Sequence, residues 1–421
     1  MYIVERIESP ADFAALAPAW DAVFDADPEA HFFLSREWIA QAFAVIGTNC
    51  CVLAVRSEEG AGGYQAFLPL RVNAYLSKSQ QVFCNELIMP GLVNWADFTG
   101  FLCRPEDEAG VIAALAMHLR AMPWALLAMK NLLVSEHRLA LFLEAFGQAQ
   151  FEILQRPRGP NRDGIDNDAC PRVQLPASFE GFLAEKASPN TRQKLRRLLR
   201  TVEGDGQWRI TESDTSTFPR DIEVLLTFWK QAWAAHKGDD IERLTRYYRS
   251  ILRNAFEAGL MYMPVLWQGD RPVGVLGHFV DRRKRAMLFK VAGRDPDCTE
   301  ISPGLVLHAW SIRHAIAQGM EAYDFLRGNE AYKYSFGATD RRLVNLTIRT
   351  RSRRNAAEGL DPSGMGEVLE QCLRYQQKGQ PEKAEIGYRQ VLQQDPAQPV
   401  AAFLLESLHR QRRMSGSDNA D

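Results

Sequence analysis

Apolar residues recur every three or four positions in two early segments of the chain, at residues 10–25 and 34–46. This spacing places them on one face of a helix, so both segments are predicted to be amphipathic helices. Two apolar runs, at 50–57 and 64–72, then flank a glycine-rich stretch, which predicts a β-hairpin. A later helix and an apolar strand continue the alternation. Residues 1–155 are therefore predicted to form one α/β domain.

A second domain is predicted after the polar stretch 156–171, whose prolines, glycines, Asp and Asn residues are typical of a linker. The alternation of helices and strands then repeats over 172–350. Three helices within 188–259 precede a set of strands, and another helix begins at Ser302. The apolar run 342–350 is predicted to be the last strand of this second α/β domain.

The C-terminal part of the chain has a helical pattern of its own. After a second predicted linker at 351–365, residues 366–412 resemble a tetratricopeptide (TPR) repeat of about 34 residues followed by one more helix. Four residues fall at the turn, packing and stop positions of that repeat: Gly379, Ala384, Tyr388 and Pro396. Because roughly three repeats are needed for a free-standing array, this segment is expected to dock on another surface. The tail, 413–421, is predicted to be disordered.

The amino-acid composition argues against several classes of protein. Lys and Arg total 50 against 52 Asp and Glu, so the strong basic excess of a typical nucleic-acid-binding protein is absent. The seven cysteines are scattered without a C-x-x-C spacing, which predicts neither a disulfide framework nor a metal site. The start of the chain has no apolar region of the signal-peptide kind, and no run is long enough to cross a bilayer. We expect a cytoplasmic protein.

One helix start has the composition of an anion-binding site. Ser302 is a suitable N-cap, and Pro303 suits the first helical position. Gly304 removes a side chain from the first turn, so a phosphate group can approach the free backbone N–H groups there. Ser302, Gly304 and Leu305 are therefore the predicted contacts of a phosphate-bearing ligand.

Charged and aromatic residues are concentrated just after that helix, in the stretch 323–337. Asp324 interrupts an apolar strand and lies on the face opposite Tyr323, because side chains alternate along a strand. Arg327, Glu330 and Lys333 follow within ten residues. A carboxylate and two cations beside a phosphate-competent helix predict a polar site, whereas a salt-bridged or purely structural cluster is the alternative.

A basic helix is predicted at 188–204. Arg192 is the first of five cations within nine residues, and leucines occupy the opposite side of the same helix. A solvated face is one interpretation. Contact with an anionic substrate, such as the phosphates of coenzyme A or of a tRNA, is the other.

These motifs together resemble a known superfamily. The strand 285–295, the helix that opens "SPG" and the stretch "YDFLRGNEAYK" are similar to the GNAT acetyltransferase-like domain of cellulose- and polysaccharide-biosynthesis proteins, which is related to the Fem aminoacyltransferases. The resemblance covers most of 172–350 and extends weakly to the first domain. It implies an α/β fold class with tandem GNAT-like, acyl-CoA N-acyltransferase folds and a short C-terminal all-α, TPR-like segment. The loop before Gly304 departs from the usual glycine-rich pyrophosphate motif.

The resemblance implies a reaction and roles for the candidate residues. It implies acyl transfer, most simply acetyl, from acetyl-CoA or another acyl-CoA to an amine of a small or sugar-linked acceptor in surface-polysaccharide biosynthesis. Asp324 would be the general base and Lys333 would stabilise developing charge, while Arg327, Glu330 and Arg192 would bind the substrate.

Two alternatives to acyl-CoA-dependent transfer remain open. The first is Fem-like aminoacyl transfer from aminoacyl-tRNA. The second is a non-catalytic platform whose TPR-like segment binds a partner protein or a second copy.

Overall fold

The computed structural model describes residues 1–58, 63–92, 95–204 and 206–417, with side chains described as far as residue 411. Most of the glycine-rich turn predicted between the first two strands lies outside the described residues. The chain divides into two compact units. The first unit comprises Met1–Pro157 and Val344–Asp421, and the second unit comprises Arg158–Leu343.

The chain enters the first unit through alternating strands and helices. In order they are β1 (Tyr2–Ile7), α1 (Pro10–Ala15), α2 (Ala17–Ala26), α3 (Arg36–Ile46), β2 (Cys50–Ser57), β3 (Tyr64–Ser77), β4 (Val82–Ile88), β5 (Leu102–Cys103), α4 (Glu108–Ala121), β6 (Leu126–Leu132), α5 (Glu136–Glu144) and β7 (Phe151–Gln155). Short 3-10 turns lie between several of them.

The second unit repeats the alternation. Its elements are β8 (Ala169–Gln174), α6 (Phe179–Glu185), α7 (Pro189–Gly204), β9 (Trp208–Glu212), α8 (Phe218–Lys237), α9 (Ile241–Glu257), β10 (Met261–Tyr262), β11 (Pro264–Gln268), β12 (Arg271–Asp281), β13 (Ala286–Arg294), α10 (Pro303–Ala317), β14 (Ala322–Asp324), α11 (Ala331–Tyr334) and β15 (Thr339–Arg342).

The chain then returns to the first unit with one strand and three helices. They are β16 (Val344–Thr350), α12 (Met365–Gln377), α13 (Pro381–Gln394) and α14 (Pro399–Ser417).

Each unit is built on one mixed sheet. The strand order in the first unit is β1-β2-β3-β4-β6-β16-β7, with β5 paired to β3, and β4 and β6 are paired in parallel. The order in the second unit is β15-β8-β14-β13-β12-β11-β9, with β10 paired to β12, and β13 and β14 are paired in parallel. Both predicted α/β folds are therefore present.

The structure moves one predicted strand to the other unit. The run 342–350 was expected to close the second domain, but β16 pairs antiparallel with β6 and β7 of the first unit. Leu346 and Ile348 of β16 are buried in the first unit's core. Alternating apolar residues predict a strand without naming its sheet, because pairing partners are set by tertiary contacts.

The predicted linker 156–171 also contains part of a strand. β8 begins at Ala169 and lies inside the second unit's sheet, between β14 and β15. Cys170 and Val173 of this strand are fully buried. The proline- and Asp-rich context masked a strand of six residues, which is too short for its apolar pattern to stand out.

The C-terminal helices pack against β3 and β4 of the first unit. Phe83 of β4 shares a buried cluster with Cys372 of α12 and Tyr388 of α13. This confirms a C-terminal helical segment, while its TPR character stays a prediction. The predicted disordered tail is partly helical, since α14 extends to Ser417. Residues 418–421 lie outside the described residues.

Candidate functional site

A gap opens between the two parallel strands at the centre of the second unit's sheet. β14 pairs with β13 only over Ala286–Leu288. The six residues that follow, Phe289–Arg294, therefore have strand partners on the β12 side alone. Among the described residues no strand pairs with their other edge, and a sheet edge of this kind can take up a ligand as an added strand.

The gap opens because the chain after β14 follows β8 and leaves β13. The N–H of Phe325 donates to the carbonyl of Pro171 at 2.9 Å, and the N–H of Gly328 donates to the carbonyl of Ala169 at 2.9 Å. Leu326, between them, has a φ of 56°, which a branched residue rarely adopts. This conformation turns the chain away from β13.

A β-bulge lies on β13 beside the gap. Phe289 pairs with His278 of β12, but Gly277 pairs with Val291, so Lys290 is the extra residue. A bulge leaves the extra residue out of the ladder and re-aims the backbone locally. Backbone N–H groups aimed in this way can stabilise a negatively charged oxygen during acyl transfer.

The N-terminus of α10 has free backbone donors. Ser302 occupies the N-cap position, but its side chain makes no capping hydrogen bond, contrary to the expectation from sequence. The Cβ position of Gly304 has open space around it. At Gly274 of β12 a Cβ would lie 2.8 Å from the Cβ of Pro303, so that glycine lets the start of α10 lie against the sheet. The predicted contacts Ser302, Gly304 and Leu305 are thus placed together at an uncapped helix start.

Asp324 does not have the environment expected of a general base. Its side chain is buried, at 3% exposure, and its carboxylate forms an ion pair with Arg341 of β15. The other carboxylate oxygen accepts the N–H of Leu326 at 2.8 Å. Asp324 therefore neutralises a cation and holds the unusual turn, and its role as general base stays a prediction.

Lys333 is also fully engaged. Its Nζ donates to the carbonyls of Phe325 (3.1 Å), Arg327 (2.9 Å) and Gly328 (2.9 Å), and the Glu330 carboxylate lies 2.9 Å away. The side chain is 2% exposed. An ammonium has three N–H donors, so no donor is left for a substrate. Lys333 therefore holds the loop after β14 in place, and its catalytic role stays a prediction.

The three other predicted substrate contacts are bound to the protein itself. Arg327 donates from Nε to the carbonyl of Asn167 at 2.9 Å, and Glu330 faces Lys333. Arg192 of α7 donates to the carbonyl of Ala184 at the end of α6, at 2.9 Å. Asp324, Arg327, Glu330 and Lys333 are brought into one turn, as the sequence indicated.

A buried polar group that the sequence did not predict is centred on Tyr323. The hydroxyl of Tyr323 lies 2.7 Å from Nε2 of His278 on β12 and 2.8 Å from Nδ1 of His308 on α10. All three side chains are buried. A hydroxyl has one proton, so it donates to one ring and accepts from the other. The two histidines are 30 residues apart, a separation that carries no sequence signal.

These histidines predict a pH-dependent stability. Burial lowers the pKa of His278 to about 3 and holds the pKa of His308 well below its ordinary value. The unfolded chain takes up protons near pH 6.5, whereas the folded chain does not, so stability is lost as pH falls. We expect the free energy of unfolding to fall by about 1.4 kcal/mol per histidine between about pH 7.5 and about pH 5.5.

Urea denaturation at the two pH values measures this loss. The H308N variant should show about half of the histidine-dependent loss. Substituting the exposed His137 by Gln should leave the loss unchanged. An H308N variant with the wild-type pH dependence would contradict the prediction.

Comparison with known proteins supports the fold and the class of the second unit. The family profile described as an acetyltransferase (GNAT) domain matches residues 189–334. The chain is similar in structure to FemX, with a TM-score of 0.58 and 11% sequence identity, over 82% of this chain and 96% of FemX. A conserved protein of unknown function from Bacteroides thetaiotaomicron VPI-5482 gives a TM-score of 0.48 at 10% identity, over 83% of this chain and 100% of that protein. A search of curated proteins gave no match.

These comparisons define a class of domain. Residues 189–334, which match the GNAT acetyltransferase profile, contain the gap, the bulge and the uncapped helix. At 11% identity the likeness to FemX shows a shared fold and leaves the reaction to be argued from the site.

Neither a metal site nor a membrane-spanning helix is found among the described residues. Within the described ranges, no group of three or more His, Cys, Asp or Glu side chains is arranged to hold a metal ion. Among the helices that the structure describes, none has the length and apolarity needed to span a bilayer.

Proposed function

We propose that the second unit is an N-acyltransferase that moves an acyl group from a coenzyme A thioester to an amine. The observation that carries the proposal is the gap between β13 and β14, which combines an unpaired strand edge, the bulge at Lys290 and the uncapped start of α10. Each of these features offers backbone N–H groups. Acyl transfer from a phosphate-bearing donor uses such groups to bind the phosphates and again to stabilise the negatively charged oxygen that forms on the acyl carbonyl.

The donor would lie along the edge of β13. Amide groups of its extended arm would pair with the free edge of Phe289–Arg294 in the manner of an added strand. Its phosphates would meet the free N–H groups of Gly304 and Leu305, and its acyl carbonyl would lie at the bulge. The amine then attacks the carbonyl carbon, the carbon–sulfur bond breaks, and the proton lost by the amine balances the one gained by the thiolate.

We propose that the acceptor is the amine of a small or sugar-linked molecule, as surface-polysaccharide biosynthesis would require, and that the reaction takes place in the cytoplasm. The acyl group would be acetyl in the simplest case. The identity of the acceptor and of the acyl group depends on the same site.

A second candidate is aminoacyl transfer from tRNA. The observation that favours it is a row of exposed basic residues on α7, formed by Lys194, Arg197 and Arg200. Arg196, which lies beside this row, forms an ion pair with Glu180. Such a row would attract a phosphate backbone. The donor would then be an ester, and the rest of the site would act in the same way.

Two substitutions at Gly304 test the donor site. A Cβ at this position meets no atom within 4 Å, so alanine and aspartate both fit. Gly304→Asp places a negative charge where the donor's phosphates would bind, and we expect acyl-CoA affinity to fall about ten-fold or more. Gly304→Ala is the matched control and should keep the affinity. Neither variant should melt at a lower temperature, because both remove a helical glycine.

Calorimetric titration with acetyl-CoA, a longer acyl-CoA and aminoacyl-tRNA reads the result. Equal acyl-CoA affinity in the Asp and Ala variants would contradict the donor placement. Binding of aminoacyl-tRNA alone would select the second candidate. Binding of no donor would leave the third interpretation, a platform whose C-terminal helices recruit a partner.

A further inference from the structure

An arginine without a partner lies on the sheet face opposite α10. Side chains at paired positions of neighbouring strands point to the same face. Arg172 of β8 pairs with Asp324 of β14, and Asp324 pairs with Leu288 of β13. The alternate residues, Val173 and Tyr323, pack with α10, so Arg172, Asp324 and Leu288 share the other face.

The charges on this face do not balance. Asp324 is the carboxylate beside Arg172, and it is already paired with Arg341. Nε of Arg172 is buried and has no hydrogen-bond partner among the described residues, and the side chain as a whole is half-buried. Burial, with the nearby charge of Arg341, lowers the pKa of Arg172, although Asp324 and Glu321 oppose this shift.

A buried guanidinium without a partner is costly for a folded protein. The Nε–H donor of Arg172 has lost water and gained no acceptor, which destabilises the folded state, while the half-buried side chain can still be reached by a ligand. Such a group is retained where a ligand supplies the missing acceptor. A guanidinium binds planar carboxylates and phosphates with two parallel hydrogen bonds, so the ligand is an anion of that kind.

We propose that Arg172 binds a carboxylate or phosphate group of the acceptor. The identification of the anion's owner rests on the proposed function, whereas the anion site itself does not. Neighbouring strands are about 4.8 Å apart, so the backbone of Arg172 lies about 10 Å from that of Leu288, just before the bulge. The acceptor would therefore carry its anionic group about 10 Å from its amine.

The position of Arg172 assigns it to the acceptor side of the gap. The uncapped start of α10 belongs to one face of the sheet, which is where the donor's phosphates would lie. An amine that attacks through the gap must come from the other face, and Arg172 is on that face. Because the side chain lies on the sheet face opposite α10, it faces away from the place proposed for the donor's phosphates.

Two variants separate a binding role from a structural one. Arg172→Met removes the charge and keeps most of the side chain's apolar length, and Arg253→Met removes an exposed arginine of α9 as the control. If Arg172 had a structural role, its removal would lower the melting temperature. Because Nε of Arg172 has no hydrogen-bond partner among the described residues, we expect the melting temperature of Arg172→Met to stay level or to rise by about 1–4 °C. A fall of several degrees would overturn the proposal.

Direct binding completes the test. Inorganic phosphate and malonate are titrated into the full chain by calorimetry at low ionic strength, with and without saturating acetyl-CoA. We expect wild type and Arg253→Met to bind at least one probe, and Arg172→Met to bind it about ten-fold or more weakly. The preferred probe tells a phosphate-bearing acceptor from a carboxylate-bearing one.

The outcomes distinguish the two proposals. No binding by wild type, or equal binding by Arg172→Met, would overturn the anion site. Displacement of the probe by acetyl-CoA would overturn its assignment to the acceptor. Anion binding that depends on Arg172 in a chain that binds no acyl-CoA would uphold the site while the acyl-CoA proposal fails.

Discussion

Replacing Lys333 by methionine is expected to lower the free energy of unfolding of the second unit by about 3 kcal/mol or more. The reason is the number of acceptors that depend on one ammonium group. Three backbone carbonyls, of Phe325, Arg327 and Gly328, accept from Nζ in a site that is closed to solvent. Each buried carbonyl that loses its donor costs about 1–3 kcal/mol, and methionine has no donor to offer.

The loss should also change the shape of the gap. Lys333 ties down the turn that carries the chain from β14 towards β8, so its removal frees the segment that keeps β14 away from β13. We therefore expect donor binding to weaken in K333M even at a temperature where the protein is folded. Thermal denaturation and acetyl-CoA titration of the same sample measure both effects.

The exposed Lys194 provides the control for this experiment. K194M removes the same charge from a helix surface, where a surface substitution changes stability by no more than about 0.5 kcal/mol. If K333M melted with wild-type stability while its turnover fell, Lys333 would act on the substrate, as the sequence had suggested.

Replacing Asp324 by asparagine or alanine is expected to destabilise the second unit in two steps. Asparagine keeps an oxygen that can accept the N–H of Leu326, but it no longer neutralises Arg341. Removing one partner of a buried ion pair lowers the free energy of unfolding by about 3–5 kcal/mol. Because Arg341 is partly exposed, we expect the loss in D324N to lie near the lower end of this range. Alanine also leaves the N–H of Leu326 unpaired, which adds about 1–3 kcal/mol.

Urea denaturation of wild type, D324N and D324A measures these steps, and D324N with Arg341→Gln completes a double-mutant cycle. Because the second substitution removes the stranded cation, we expect it to restore part of the stability lost in D324N. The structural interpretation would fail if D324N kept wild-type stability and lost turnover by about 10²–10⁴, the usual contribution of a general base.

The two variants test the same disagreement between sequence and structure. The sequence predicted that Asp324 and Lys333 lie together near the end of a strand, and they do. It assigned chemistry to them because a carboxylate and an ammonium in one turn are the usual parts of an acid–base site. In the structure Asp324 is occupied by Arg341 and by the N–H of Leu326, and Lys333 is occupied by three backbone carbonyls, so the two variants test whether either group also takes part in chemistry.

Local patterns were sufficient for most of the elements. The strand β13 was predicted close to its observed bounds, and the helix that begins at Pro303 was predicted close to its observed start. Apolar periodicity and helix-start residues act over a few neighbouring positions, so a sequence contains them in full. The charged turn after β14 was found by the same means.

Partnership between distant segments was decided only by the tertiary structure. β16 joined the first unit's sheet and β8 the second unit's, because an alternating strand fits any sheet edge that offers matching burial. Arg341 reached Asp324 from another strand, and Arg172 was left without a carboxylate. The sequence by itself determined which charges exist in the second unit and which segments carry them. The fold decided which of those charges cancel, because ion pairs and unpaired donors depend on distances across strands that are far apart in the chain.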